Sequence, residues 1–143
     1  ITFGSLNKFS KLSPGALKLW SKVLRSTKDS KILIKFLQIE YKGIKEKIIS
    51  QFEKLGINSS NIIFMERTEH RDQALELYNL IDINLDTFPF QGNTTTCEAA
   101  WMGVPTLTLK GDRFLFHFLL KDTHCLVYVI ISNFYFHICI ITL

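Results

Sequence analysis

Short β-branched runs alternate with amphipathic helical patterns from the start of the chain to residue 109. This alternation is typical of a parallel sheet whose strands are joined by crossover helices. It predicts an α/β fold with a Rossmann-like, doubly wound sheet. The predicted strands are the opening ITFGS, Lys31–Phe36, Ile62–Phe64, Ile81–Leu85 and Val104–Leu109.

Four helical patterns lie between these strands. Ser13 and Pro14 form an N-cap and first-turn pair for the first helix. Gly56 and Gly103 follow the second and fourth helices, where glycine commonly ends a helix. The apolar spacing of three and four residues predicts helices from Pro14 to about residues 26–30, from Ile44 to Leu55, from Gln73 to Asn79 and from Thr95 to Met102.

Composition sets the scale of the molecule. With 143 residues, 47% hydrophobic and 21% charged, the chain is expected to form one compact domain or part of one. The net charge of +4 comes from Lys and Arg scattered mainly through residues 8–71. Because these cations form no cluster and no helix-turn-helix pattern is present, we expect no nucleic-acid partner.

The cysteines and the N-terminus indicate the compartment. Cys97, Cys125 and Cys139 are an odd number without a CxxC spacing, which argues against a disulfide framework and against a zinc site. We see no signal peptide, so a cytoplasmic location is expected. The chain starts inside a strand-like run without Met, which indicates a fragment of a longer protein.

The composition changes after Phe114. Leu126–Leu143 contains no Asp, Glu, Lys or Arg and is just long enough for a membrane span, although polar residues in its middle weaken that interpretation. Buried strands, or a tail outside the domain such as read-through after a frame change, are the other interpretations. We therefore divide the chain into a domain at 1–115 and a divergent hydrophobic tail at 116–143.

Two loops have the chemistry of an anion site. Ligands of open parallel sheets bind beyond the carboxyl ends of the strands, where helix N-termini attract phosphate. The loop after the first strand carries Ser5, Asn7, Lys8 and Lys11. The loop after Leu85 offers a glycine for close backbone approach or positive φ, compact polar donors and a first-turn acid suited to ribose hydroxyls: Gly92, Asn93, Thr94, Thr95, Thr96 and Glu98.

Each of these elements also has a purely structural interpretation. A threonine run before a helix is commonly a capping sequence. Lys11 alone would be an ordinary solvated lysine, and Glu98 alone an acid favoured by the helix dipole. The functional interpretation therefore depends on the combination.

The combination resembles a known family. The string LDTFPFQGNTTTCEAAWMGVPTLTLKGDRF, together with the opening FGSLNKFSKLSPGALKLWSKVL, is similar to the O-linked N-acetylglucosamine (O-GlcNAc) transferases and the plant SPINDLY proteins. The resemblance covers residues 1–115. It implies the first part of the C-terminal lobe of a GT-B fold, which has two Rossmann-like lobes and binds UDP-GlcNAc in the cleft between them.

The resemblance also assigns roles to residues. Lys11 matches the lysine that holds the diphosphate and supports catalysis, and Lys8 stands where some members have a nucleotide-facing Gln. Glu98 matches the ribose-binding acid, and Arg71 is expected to supply a cation on the uracil side. Gly92, Asn93, Thr94 and Thr95 match the diphosphate turn, with Asn93 in place of a histidine of the eukaryotic enzymes.

One family feature is displaced. Members place a histidine at the start of the helix before the fourth strand, where ungapped alignment puts Ala74. His70 lies four residues upstream, and a loop histidine in water is the simpler interpretation of it.

The implied reaction is inverting transfer of GlcNAc from UDP-GlcNAc to Ser or Thr of an acceptor protein. We expect no metal and no cofactor besides the donor, because no Asp-x-Asp pair is present. The implied partners are the missing N-terminal catalytic lobe and tetratricopeptide repeats, so the isolated chain is expected to be inactive. The alternatives are a GDP-fucose-using SPINDLY-like transferase, a truncated remnant that only binds nucleotide, and a membrane-anchored binding module.

Overall fold

The chain folds around one predominantly parallel sheet. The computed structural model describes residues 1–35, 43–66 and 68–109, and the backbone of 127–132 and 135–140. In the order β3-β2-β1-β4-β5-β6-β7, the first six strands are parallel and β7 is antiparallel to β6. The strands are β1 (Thr2–Ser5), β2 (Lys31–Lys35), β3 (Ile62–Met65), β4 (Ile83–Leu85), β5 (Thr106–Leu109), β6 (Val127–Ser132) and β7 (Tyr135–Ile140).

The predicted helices are present, with shifted ends in the third and fourth. The Ser13 side chain accepts the Ala16 N–H at 3.0 Å, which confirms it as the cap of the first helix. The third helix starts at Arg71, two residues before the predicted Gln73, and passes at Leu77 into a 3-10 turn. The helices are α1 (Pro14–Ser26), α2 (Ile44–Lys54), α3 (Arg71–Glu76) and α4 (Thr94–Trp101), with 3-10 turns at Phe9–Lys11, Ser59–Asn61 and Leu77–Leu80.

Helices cover both faces of the sheet, which confirms the doubly wound α/β prediction. On one face, α1 and α2 enclose an apolar core in which Trp20 and Phe52 are almost fully buried. The other face packs against α3, α4 and the 3-10 turn Leu77–Leu80. Its cluster contains Leu6, Leu33, Leu77, Tyr78, Ile81, Ala99 and Val104.

The strand order reverses between β1 and β4. β2 and β3 extend the sheet on one side of β1, whereas β4, β5 and β6 extend it on the other. The loops that leave the carboxyl ends of β1 and β4 therefore lead into helices on opposite faces of the sheet, α1 and α4, and a crevice is expected at such a reversal. In open α/β sheets this is the position where ligands bind.

The C-terminal segment joins the same sheet. The backbone of β6 pairs with β5 in parallel register, and β7 returns beside β6. Both described stretches of the segment are extended, as in the buried-strand interpretation. Among the described residues, none of the helices combines the length and apolar character that a bilayer crossing requires. The division of the chain at residue 115 lies outside the described residues and stays a prediction.

Candidate functional site

The first wall of the crevice is the loop after β1. Its 3-10 turn, Phe9–Lys11, brings the Lys11 ammonium to the backbone carbonyl of Gln91, with 2.9 Å between nitrogen and oxygen. The Ser13 hydroxyl donates a hydrogen bond to the carbonyl of Phe88, so the start of α1 is fastened to the second loop. The two predicted loops therefore meet, with the Lys11 cation between them.

Asp86 organises the second wall. It directly follows β4 and is only 5% exposed. Its Oδ1 accepts the N–H groups of Gly92 at 2.6 Å and Thr87 at 2.8 Å, and its Oδ2 accepts the Thr108 hydroxyl at 2.8 Å. Burial raises the pKa of this carboxyl, while the three hydrogen bonds and the charge of Lys11 act in the opposite direction. The carboxylate thus folds residues 86–92 into a closed turn.

Gly92 is required by close packing. A Cβ at this position would lie 2.4 Å from the Thr95 Oγ1 and 2.8 Å from the Asn7 Oδ1, closer than such atoms approach. Its φ lies outside the positive range, so of the two reasons expected for a glycine here, close approach is the one that applies. Its N–H already donates to Asp86 and is therefore committed to the turn rather than to an anion.

The start of α4 faces the same crevice. Asn93 is its N-cap residue without a side-chain capping bond, and both Asn93 and Thr94 are exposed. The Thr95 hydroxyl donates to the Asn7 Oδ1 at 2.7 Å and so links α4 to the loop after β1. The Thr96 hydroxyl is fully buried and donates to the Gly92 carbonyl at 3.0 Å, which makes it a structural member of the turn. The first N–H groups of a helix lack intrahelical partners and can bind an anion, and Lys11 contacts the Gln91 carbonyl two residues before the N-cap Asn93.

Glu98, one turn further along α4, lies beside Arg71 at the start of α3. The Arg71 Nη2 is 4.0 Å from the Glu98 Oε1, and the two side chains are 78% and 24% exposed. Arg71, which is expected on the uracil side of the site, therefore lies beside Glu98, the acid expected to bind the ribose. His70 is the N-cap residue of α3 and is exposed, as the loop interpretation predicted, and Ala74 lies within α3.

A small cavity opens beneath the loop after β1. Ser5 and Asn7 line it, are at least nine-tenths buried, and leave the Ser5 Oγ and the Asn7 Nδ2 without a hydrogen-bond partner. Lys35, 8% exposed, also lines it, and its Nζ lies 3.5 Å from the Thr68 Oγ1. Burial lowers the pKa of Lys35, and the charge of Glu98 opposes this effect. Exposed Lys8 lies at the rim.

Four residues of this site carry no functional prediction from the sequence pattern. Asp86 is one, although an acid directly after a buried strand is a recognisable signal. The pattern places Asn7 in its loop without a contact, and Tyr78 only in a helix. It predicts Lys35 as a strand residue and gives no sign that the amine is enclosed.

Metal-ligating side chains do not cluster in the part of the chain that the structure describes: it has no group of three or more His, Cys, Asp and Glu that could hold an ion. Cys97, the cysteine whose side chain is described, is free and exposed. The functional roles expected for Lys8, Lys11, Arg71, Gly92, Asn93, Thr94, Thr95 and Glu98 stay predictions.

The sequence of this chain matches one family model and is similar to several named proteins. The sequence model of Glycosyl transferase family 41 matches residues 1–119. A Hordeum vulgare protein named "Probable UDP-N-acetylglucosamine–peptide N-acetylglucosaminyltransferase SPINDLY" is 36% identical over 112 residues, which are 78% of this chain and 12% of that protein. A Caenorhabditis elegans UDP-N-acetylglucosamine–peptide N-acetylglucosaminyltransferase is 28% identical over 109 residues, which are 76% of this chain and 9% of that protein. The chain thus spans about an eighth or less of these relatives.

Solved structures give the same picture. A Thermobaculum terrenum O-GlcNAc transferase mutant matches with a TM-score of 0.73 and 32% identity, over 78% of this chain and 21% of that chain. Anabaena HepE, solved in complex with UDP and glucose, matches with a TM-score of 0.64 and 10% identity over 92% of this chain and 34% of that chain. The second likeness concerns the fold alone. Together with the strand order, these matches identify the sheet as a GT-B lobe.

Proposed function

Because the chain belongs to glycosyl transferase family 41, we propose that it is the UDP-sugar-binding part of an inverting protein O-GlcNAc transferase. The parent enzyme transfers GlcNAc from UDP-GlcNAc to Ser or Thr hydroxyls of proteins. The observation that carries the proposal is the contact of Lys11 with the Gln91 carbonyl, in the loop that leads into the N-terminus of α4 where the strand order reverses. A cation and a helix N-terminus together suit a diphosphate.

Lys11 has the central chemical role. As the glycosidic bond breaks, negative charge grows on the β-phosphate of the leaving UDP. The Lys11 ammonium, held 2.9 Å from a carbonyl rather than by a carboxylate, is available to that charge. Because its attraction to the phosphate increases along the reaction, it stabilises the transition state more than the bound donor.

The remaining residues bind the donor. Thr94 and Asn93 are exposed at the helix start and meet the diphosphate, together with the fixed Thr95. Gly92 acts by letting the turn approach Asn7 and Thr95 closely. Glu98 accepts hydrogen bonds from ribose hydroxyls, Arg71 beside it faces the base, and Lys8 adds positive charge at the rim.

The parent protein needs more than this lobe. The chain spans 12% of the SPINDLY relative, and the acceptor binds against a second lobe. We propose that an N-terminal catalytic lobe and tetratricopeptide repeats complete the enzyme in the cytoplasm, and that this chain alone binds donor without transferring sugar.

Thermal unfolding with and without UDP tests the site. At a UDP concentration of 100 times the dissociation constant, binding adds about 2.7 kcal/mol to stability, which raises the unfolding temperature by several degrees. Lys11→Ala is expected to remove most of this shift. Lys28→Ala, an exposed lysine after α1, is the matched control and keeps the shift. A folded chain without any UDP-dependent shift contradicts the assignment.

GDP in the same assay separates the two donor hypotheses. If the site is specific for uridine, UDP raises the unfolding temperature more than GDP does. Stronger protection by GDP, with the same dependence on Lys11, would instead support a GDP-fucose donor of the SPINDLY-like type.

A further inference from the structure

Three buried polar side chains line the small cavity beneath the loop after β1. The Ser5 Oγ and the Asn7 Nδ2 have no hydrogen-bond partner, and their residues are 2% and 6% exposed. Lys35 lines the cavity from the end of β2 and is 8% exposed, and its Nζ makes a long hydrogen bond of 3.5 Å to the Thr68 Oγ1. A buried polar group costs free energy unless it is hydrogen-bonded, so these three groups are suited to a ligand.

The other lining residues supply no acceptor for these groups. Thr87 has its N–H bonded to the Asp86 carboxylate and its hydroxyl to the Phe90 carbonyl. The Nε1–H of Trp20 likewise donates to the Asp86 carbonyl. Lys8 adds a cation at the rim, and none of the described lining residues is an acid. The cavity therefore presents hydrogen-bond donors and positive charge, which suit a negatively charged oxygen.

Asn7 connects this cavity to the proposed diphosphate site. Its Oδ1 accepts the Thr95 hydroxyl at 2.7 Å, so the amide is fixed beside the first turn of α4. The Nδ2 of the same amide is the atom without a partner. A donor that is already fixed contributes more to affinity than one that must first be ordered by the ligand. The cavity and the start of α4 thus form two sides of one binding region.

The order of the proposed contacts indicates which part of a nucleotide reaches the cavity. Lys11 lies at the Gln91 carbonyl, where the terminal phosphate is proposed to bind. Glu98 lies one turn further along α4, where the ribose is proposed to bind. Asn7 contacts Thr95, which lies in the chain between Gln91 and Glu98. In a nucleoside diphosphate, the group between the terminal phosphate and the ribose is the α-phosphate.

We propose that this cavity is the subsite for the α-phosphate of the donor, with the Asn7 Nδ2, the Ser5 hydroxyl and the Lys35 ammonium donating to its oxygens. This inference rests on the proposed function and adds three residues to it. Because UMP and UDP both contain the α-phosphate, the subsite contributes equally to the binding of the two nucleotides. Lys11, in contrast, acts on the terminal phosphate and distinguishes them.

Calorimetry with UMP and UDP tests the subsite. Lys35→Met removes the ammonium and keeps an unbranched side chain. It is expected to weaken both nucleotides by the same factor, about 10- to 100-fold, as for one lost hydrogen bond between charged groups. Uridine has no phosphate, so its affinity, measured by NMR titration, is expected to change by less than about threefold.

Asn7→Asp is the second variant. Its Oδ1 can still accept from Thr95, while an anionic oxygen replaces the free nitrogen. Because this oxygen repels a phosphate, the variant is expected to weaken UMP and UDP equally and to spare uridine. Lys31→Met is the matched control, since it removes an exposed lysine at the opposite end of β2. Its affinities for all three compounds should stay within about twofold of wild type.

The remaining outcomes overturn either the subsite or the proposed function. If the folded variants weaken UDP alone, weaken uridine as much as UMP, or leave all three affinities unchanged, the cavity holds only a water molecule or shapes the fold. Failure of both variants to fold shows that these groups are structural and also overturns the subsite. If the folded wild-type chain binds neither UMP nor UDP, the proposed function itself fails, and the subsite with it.

Discussion

The apolar layer under α1 and α2 and the polar edge at the carboxyl ends of β1 and β4 are built in opposite ways, although they share a residue. The layer buries apolar side chains such as Phe52 and Ile32. The edge buries Asp86, Gln91 and Thr96. Trp20 joins them, because its ring packs in the layer and its Nε1–H donates to the Asp86 carbonyl at 3.1 Å.

This difference indicates that the apolar layer stabilises the fold, whereas the polar edge shapes the proposed binding site. Burial of apolar area stabilises the fold in proportion to that area, whereas burial of a carboxylate costs free energy unless hydrogen bonds offset it. Asp86 has three such bonds, yet Ser5 Oγ and Asn7 Nδ2 have no partner. The polar edge therefore contributes little to the free energy of unfolding, and its hydrogen bonds mainly fix the shape of the turn at residues 86–92. Three changes test this comparison.

The largest expected effect is on the apolar layer. Phe52 is fully buried, so Phe52→Ala is expected to lower the free energy of unfolding by ~3–5 kcal/mol. Chemical denaturation measures this change. Leu80→Ala, at a 51% exposed position, is the control and should cost less than about 1 kcal/mol. A loss near 1 kcal/mol for Phe52→Ala would mean that this layer does not carry the stability.

The next effect is at Gly92, where shape and binding coincide. Gly92→Ala places a Cβ against Thr95 and Asn7, which costs ~1–3 kcal/mol of unfolding free energy by overpacking and should abolish most UDP binding. Gly15→Ala in α1 is the control, because the nearest atom to its Cβ is 3.6 Å away. Gly15→Ala is expected to raise the free energy of unfolding by about 0.5–1 kcal/mol, because alanine is favoured over glycine within a helix. Normal UDP affinity in Gly92→Ala would contradict the close packing of the turn.

The smallest effect concerns the charge of Asp86. A carboxyl whose pKa is raised in the folded state stabilises the fold below its unfolded pKa and loses that contribution as pH rises through the folded pKa. Asp86→Asn lacks this ionisation, while its Oδ1 can still accept from Gly92 and Thr87. The stability of Asp86→Asn relative to wild type should therefore rise between acid and neutral pH.

Denaturation at a series of pH values checks that prediction. If the difference in unfolding free energy between Asp86→Asn and wild type does not change with pH, the hydrogen bonds of Asp86 fully offset the effect of burial on its pKa. A difference that falls as pH rises would show that the carboxylate stabilises the turn through its charge.

Much of the fold could be predicted because apolar spacing records which face of each element is buried. The Ser13 cap, α1 and the strands through β5 follow from that pattern. The two loops of the site were predictable because they follow strands and precede helices. Contacts across the sheet left no periodic signal, so the Tyr78 bond to Thr95 and the Asp86 bond to Thr108 could be found only in three dimensions.

Gly92 illustrates the limit most clearly. A glycine before a polar helix start suggested a phosphate loop, and either positive φ or close approach could require it. The structure assigns its N–H to Asp86 and its missing side chain to the approach of Asn7 and Thr95. The proposed role of Gly92 at the diphosphate is thus indirect, and the proposed contacts with the anion are those of Lys11 and the exposed start of α4.

Calorimetry with UDP and UMP tests the central claim, that Lys11 binds the terminal phosphate of a nucleoside diphosphate. In the wild-type chain UDP should bind more tightly than UMP. Lys11→Ala is expected to weaken UDP by about 10- to 100-fold, as for a charge-assisted hydrogen bond, and to change UMP by less than about threefold. An equal effect on both nucleotides, or unchanged UDP affinity in a folded Lys11→Ala chain, would contradict the claim.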